Sequence, residues 1–82
     1  MQRSWVASPQ YRHLIAALKA VRTEHNVSQR ELARRLQKPP SFVNKIELLE
    51  RRLDILEFVM IARALELPAD ELLRLISASL GD

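Results

Sequence analysis

A chain of 82 residues has room for one small domain, which buries only about 60–65% of the surface its unfolded form exposes, so a second domain is excluded. The 48% hydrophobic content is too high for a disordered tail, and one Gly with four Pro gives too little turn punctuation for an all-β fold. The net charge of +3 is unevenly placed: residues 1–52 carry eleven Lys/Arg against four Asp/Glu, a net +7, whereas residues 53–82 carry two against six, a net −4, the pattern of a polyanion-binding face backed by a different surface.

Residues 1–7 read as a loosely held N-terminal arm with no apolar signal region, and residues 8–80 as the domain itself, in five helices. Ser8 before Pro9 is a helix cap followed by a first-turn proline, and Tyr11, Leu14, Ile15, Leu18 and Val21 then recur at helical spacing, which carries the first helix to about His25. Ser28-Gln29-Arg30-Glu31 predicts a capping box for a short second helix, with Leu32, Ala33 and Leu36 as its buried stripe. Pro39-Pro40 interrupts the chain, because Pro39 drives Lys38 toward an extended backbone while Pro40 suits the first turn of a third helix, placed at about Pro40 to Leu48 with Val43 and Ile46 inward. Asp54 with Glu57 three positions on opens a fourth helix to about Leu65. Pro68, then Asp70 and Glu71 ahead of Leu72, Leu73, Leu75 and Ile76, opens a fifth.

Two short helices joined by a tight turn, in residues 28–48, are what a helix-turn-helix requires. Ser28-Gln29-Arg30-Glu31-Leu32-Ala33-Arg34-Arg35-Leu36, followed by Ser41-Phe42-Val43-Asn44-Lys45-Ile46-Glu47, resembles the Cro/phage-repressor family of regulators, also named for xenobiotic response elements. The resemblance runs from about Tyr11 to Ile76. It implies an all-α, five-helix, lambda-repressor-like DNA-binding domain and assigns roles position by position. Pro40, Ser41, Asn44 and Lys45 would present side chains to base edges in the major groove, where Asn suits adenine and Lys suits guanine O6/N7. Gln29 would touch a phosphate and brace the recognition helix, Phe42 would cover a thymine methyl or a sugar, and Lys38, Arg51 and Arg52 would contact phosphates. Arg22 and Glu47 would form an ion pair linking the first helix to the end of the third.

Four positions depart from the family pattern. Gln37 replaces the usual Gly of the turn, at a cost of about 1 kcal/mol if the left-handed conformation is kept. Leu48-Leu49 puts apolar side chains where the family has a polar residue and Gly, and Pro40 replaces a polar base-reading residue.

Nothing in the chain supports catalysis. Ser28 and Ser41 lack a neighbouring general base, His13 and His25 stand apart from any carboxylate cluster, and Cys is absent, so neither an enzyme, a cofactor nor a metal site is expected. No apolar run is long enough for a membrane span, and a cytoplasmic location is expected. The fourth helix holds more apolar side chains than one stripe can hide, which predicts a homodimer patch drawn from Leu48, Leu49, Leu56, Met60, Leu72 and Ile76, with Trp5 and Val6 able to anchor the arm on this patch or on the partner chain. The expected function is a transcriptional regulator, a repressor in the leading version, binding a short pseudo-palindrome in double-stranded DNA. A phage repressor, a restriction-modification controller and an autoregulating antitoxin all fit, so a toxin or RNA polymerase is a further possible partner. The competing expectation is a helical protein-interaction module, such as an antitoxin or anti-regulator, whose recognition helix is not used on DNA.

Overall fold

The computed structural model describes Trp5 and residues 8–81. The rest of the expected arm, Val6 included, lies outside the described residues, as does Asp82. Among the described residues all regular structure is helical: α1 (Pro9–Glu24), α2 (Gln29–Arg35), α3 (Phe42–Glu47), α4 (Ile55–Ala64) and α5 (Ala69–Ser77), followed by a 3-10 turn at Ala78–Leu80.

Local chemistry explains the helix starts. Ser8 Oγ accepts from the Tyr11 N–H at 3.2 Å while Pro9 occupies the first turn, where a missing N–H removes nothing. At Asp54 the capping box is complete, with Oδ1 accepting from the Glu57 N–H at 2.7 Å and Glu57 Oε1 accepting from the Asp54 N–H at 3.1 Å. The box expected at Ser28 is only half made. Ser28 Oγ accepts from the Glu31 N–H at 3.0 Å, but the Glu31 carboxylate turns to the guanidinium groups of Arg34 and Arg35, at 2.8 Å each, because two charged donors outcompete one neutral backbone N–H. The recognition helix is also shorter than expected. Its first regular bond runs from the Lys45 N–H to the Ser41 carbonyl at 3.0 Å, and Pro40 and Ser41 belong to a turn closed by the Phe42 N–H on the Pro39 carbonyl at 2.9 Å.

The helix ends share one device. Asn26, Gln37, Leu49 and Glu66 follow the ends of α1 to α4 with φ of 58°, 58°, 64° and 62°. The next residue in each case returns its N–H to a carbonyl five positions back: Val27 to Arg22, Lys38 to Ala33, Glu50 to Lys45 and Leu67 to Ala62, at 2.8–3.2 Å. These are Schellman caps, a geometry that favours glycine, built here without one. Gln37 therefore keeps the left-handed conformation of the turn instead of distorting it.

α1 packs on α3 and α5, α2 packs on α3 and α4, and α5 touches α1 and α4 without reaching α2 or α3. The shared core joins Ile15, Leu18 and Val21 of α1 to Leu32, Val43, Ile46, Ile61 and Leu65. Two alanines, Ala33 and Ala62, are fully enclosed, and their small side chains let α2 and α4 approach their neighbours closely. Leu72 and Ile76, expected at a dimer surface, belong to this core, at 0% and 5% exposure. They lie one turn apart on the side of α5 that meets α1 and α4, so they are not free for a partner. Leu73 and Leu75 take the outward positions.

Candidate nucleic-acid interface

The recognition helix is held from behind by a buried polar clamp. Arg22, near the end of α1, is 7% exposed and gives Nε to Glu47 Oε2 at 2.7 Å and Nη2 to Glu47 Oε1 at 3.0 Å. Its third nitrogen, Nη1, donates to the Val27 carbonyl at 2.8 Å, so one guanidinium ties the loop after α1 to the last residue of α3. Gln29, first residue of α2, adds Nε2 to Glu47 Oε1 at 2.7 Å. The second hydrogen of that amide is not used by this bond.

This clamp, with Phe42, Val43 and Ile46 buried beneath, fixes which side of the α3 region faces out. Pro40, Ser41 and Lys45 are exposed and Asn44 is half-buried. Of the four expected base-facing residues, three therefore stand on open surface, with Lys38 and Arg52 exposed to either side.

Phe42 has a different place from the one expected. It is 7% exposed and part of the core, so it does not offer its ring to a thymine methyl or a sugar. Two cations cover its outer surface instead: Lys38 Nζ lies 5.4 Å, and the Arg51 guanidinium carbon 4.7 Å, from the ring centroid.

Arg51 carries a further interaction that sequence reasoning missed. Its Nη1 donates to Glu57 Oε1 at 2.8 Å, and its Nη2 pairs with the other carboxylate oxygen. Glu57 is the acid of the α4 capping box, so the same carboxylate closes the start of α4 and holds the cation stacked on the first residue of α3. The Arg51 hydrogen bonds keep the Glu57 carboxyl below its ordinary value against the opposing effect of burial, and the Asp54 N–H and nearby Lys38 act in the same direction. Glu31 is drawn down to about 2 by its hydrogen bonds from Arg34 and then Arg35. Arg35 also donates Nη1 to the Ala64 carbonyl at 2.8 Å, tying α2 to the end of α4. The spacing of Glu31 with Arg34 and Arg35 signals the local pairs; the Ala64 contact, 29 positions away, has no local signal.

Arg52 sits beside an aromatic cluster. Its guanidinium carbon is 5.9 Å from the Trp5 ring centroid, and Trp5 meets Tyr11 edge to face at 5.2 Å. The Tyr11 hydroxyl accepts from the Leu53 N–H at 3.2 Å, which anchors the segment between α3 and α4 to α1. Trp5 thus has a place within its own chain, against α1 and Arg52.

The expected dimer residues divide. Leu48, Leu56 and Met60 are 57%, 67% and 43% exposed, Leu49 is half-buried, and Ile55, not singled out from the sequence, is 81% exposed. No group of three or more His, Cys, Asp or Glu side chains that could hold a metal ion occurs among the described residues. No helix among them is long and apolar enough to cross a membrane.

Comparison with known proteins agrees with this arrangement. Residues 18–72 match a family model described as helix-turn-helix. Among solved structures the chain is similar to an XRE-family like protein from Pseudomonas syringae pv. tomato str. DC3000, with 36% identity, a TM-score of 0.78 and 92% of each chain covered. Among curated proteins no significant match was found.

Proposed function

Because the chain belongs to the helix-turn-helix family and is an XRE-like, DNA-binding transcriptional regulator, we propose that it acts as a homodimeric repressor of a short pseudo-palindromic operator. The fold is of a non-enzymatic kind. The observation that supports this best is the clamp of Arg22, Gln29 and Glu47, which immobilises α3 while Pro40 and Ser41 ahead of it and Lys45 in its last turn stay exposed. An element that enters a groove must present fixed side chains, and a bidentate pair supplies orientation more securely than it supplies net stability.

In this proposal Lys45, Ser41 and the accessible part of Asn44 read bases, and Pro40 contributes shape alone. Gln29, Lys38 and Arg52 hold phosphates. Arg51 supports Phe42 and α4 first, with a phosphate contact open only to whatever Glu57 leaves free. Leu48, Ile55, Leu56 and Met60 form the two-fold seam, because one small module reads few bases and a pair reads two half-sites about one helical turn apart. The protein works in the cytoplasm, where its promoter is.

Fluorescence anisotropy with a random-sequence duplex at low salt, paired with sedimentation of the free protein, tests both halves. Binding that weakens steeply with salt, together with a dimer mass, is the expected result. Absence of even nonspecific binding would refute the DNA half and leave the exposed apolar residues as a surface for a protein partner, such as a toxin or a second regulator.

A further inference from the structure

A half-enclosed cavity of about 270 Å³ lies between the end of α2, the start of α3 and the first turns of α4, lined by Leu36, Lys38, Phe42, Leu56, Glu57 and Met60. Its walls are apolar apart from one cation and one acid. The acid is already committed: the Glu57 carboxylate accepts from two Arg51 nitrogens and from the Asp54 N–H. Lys38 is not. Its ammonium lies 5.4 Å from the centroid of the Phe42 ring and makes no hydrogen bond or ion pair among the described residues. With Arg51 behind Glu57, the cavity has two cations against one carboxylate, so one positive charge is in excess. Met60, 43% exposed, closes one side with a thioether chain that can adjust to a guest.

We propose that this cavity binds a small monocarboxylate with a short apolar chain, the chain lying among Leu36, Phe42, Leu56 and Met60 and the head on the Lys38 ammonium. The chain gains by leaving water, and Lys38 supplies up to three donors to the head. Charge fixes the class of ligand. A cationic head would be repelled by Lys38, and a dianion such as a phosphate monoester would bring a second charge that finds no free cation and faces Glu57. The volume lies just below the roughly 300 Å³ at which small-molecule pockets usually begin, which limits the chain to a short one. Occupancy has a consequence for DNA that rests on the function proposed above: the head engages the ammonium that would otherwise hold a phosphate, so ligand and duplex oppose one another. Leu56 and Met60 also border the proposed two-fold seam, which makes a second copy of the chain the rival occupant.

The test follows the NMR signal of the Met60 ε-methyl group, assigned through Met60→Leu, as sodium hexanoate, hexanol or hexylammonium chloride is added to the full chain. Hexanoate is expected to shift the signal saturably, with an affinity about tenfold above that of the other two, because a hydrogen bond between charged groups adds to the same apolar burial. Lys38→Gln should abolish that preference and keep the weak response to hexanol. With hexanoate at saturation, against an equal concentration of sodium acetate, the slope of log K against log salt for a random-sequence duplex should be shallower by about 0.9, the share of one phosphate contact. Equal responses to the three probes, or a preference for hexanoate that survives Lys38→Gln, overturn the proposal. So does a Met60 signal that moves with protein concentration and not with hexanoate, which places a second copy in the cavity. A duplex slope that hexanoate leaves unaltered overturns the opposition to DNA. Failure of the free protein to bind duplex at all overturns the functional reading and leaves the carboxylate site standing, because Met60 reports it without DNA.

Discussion

Arg22 and Glu47 are 25 positions apart in the chain, yet two guanidinium nitrogens of one meet both carboxylate oxygens of the other at 2.7 and 3.0 Å, with both side chains only 8% exposed. Removing one member of such a pair leaves a buried charge with no counter-charge. Glu47→Ala is therefore expected to destabilise the domain by about 3–5 kcal/mol in urea unfolding. The double substitution Arg22→Met with Glu47→Leu is expected to recover much of that stability, because an apolar pair carries no desolvation penalty. It should nonetheless bind DNA more weakly, since α3 loses its bidentate anchor. Full DNA affinity in the double variant would show that the clamp is dispensable for presenting α3.

Gln37 supplies a simpler test. Its φ of 58° lies where an L side chain is strained, and Gly relieves that strain while adding freedom to the unfolded chain. Gln37→Gly is expected to stabilise by about 0.5–1 kcal/mol, seen as a Tm higher by a few degrees, with the DNA salt slope unchanged.

Glu57 makes stability depend on pH in a defined direction. Its folded-state carboxyl is held below the ordinary 4.5, chiefly by Arg51, so the native state binds its proton less readily than the unfolded state does. The stabilisation is present in full above about pH 4.5 and is lost as pH falls through the lowered native value. In thermal melts between neutral pH and strong acid, Glu57→Gln should start from a lower Tm and show a shallower acid limb than wild type. An acid limb identical to wild type would remove the Arg51–Glu57 pair from the account.

The division between base and phosphate contacts predicts two kinds of effect. Lys45→Ala should relax discrimination at one base position of a site selected from a random pool, by about 1–3 kcal/mol. Arg52→Ala should weaken binding to all sequences uniformly and lower the salt slope. Competition assays with single-base variants of the selected site separate the two, and equal effects of both substitutions on every sequence would contradict the assignment.

Leu56 and Leu72 differ in the same instructive way. Leu56, at 67% exposure, can take a charge without disturbing the core, so Leu56→Glu is expected to leave monomer folding intact and shift sedimentation from dimer to monomer. Leu72 is completely enclosed, and Leu72→Ala should instead cost about 2–5 kcal/mol of stability, whatever the oligomeric state.

Much of this architecture is legible in the chain because its signals are local. Ser8 with Pro9, and Asp54 with Glu57, announce helix starts through bonds spanning three residues, and the structure makes those bonds. Where the sequence falls short, several partners compete for one group. Glu31 could have capped α2, but two neighbouring cations claim its carboxylate. Leu72, Leu73, Leu75 and Ile76 cover both sides of α5, and only the packing against α1 and α4 decides which pair is enclosed. Phe42 looks accessible in a recognition helix until Lys38 and Arg51 are seen to roof its ring, and the Arg51–Glu57 pair joins separate elements with no periodic pattern to expose it.

The position of α5, in contact with α1 and α4 but never with α2 or α3, separates the outer surface of the domain from the mounting of the recognition helix. Leu73 and Leu75 can therefore be exchanged for other side chains without moving α3, whose orientation is held by Arg22, Gln29 and Glu47 on the far side of the shared core. That outer surface is free to drift in sequence while the helix pair keeps its shape.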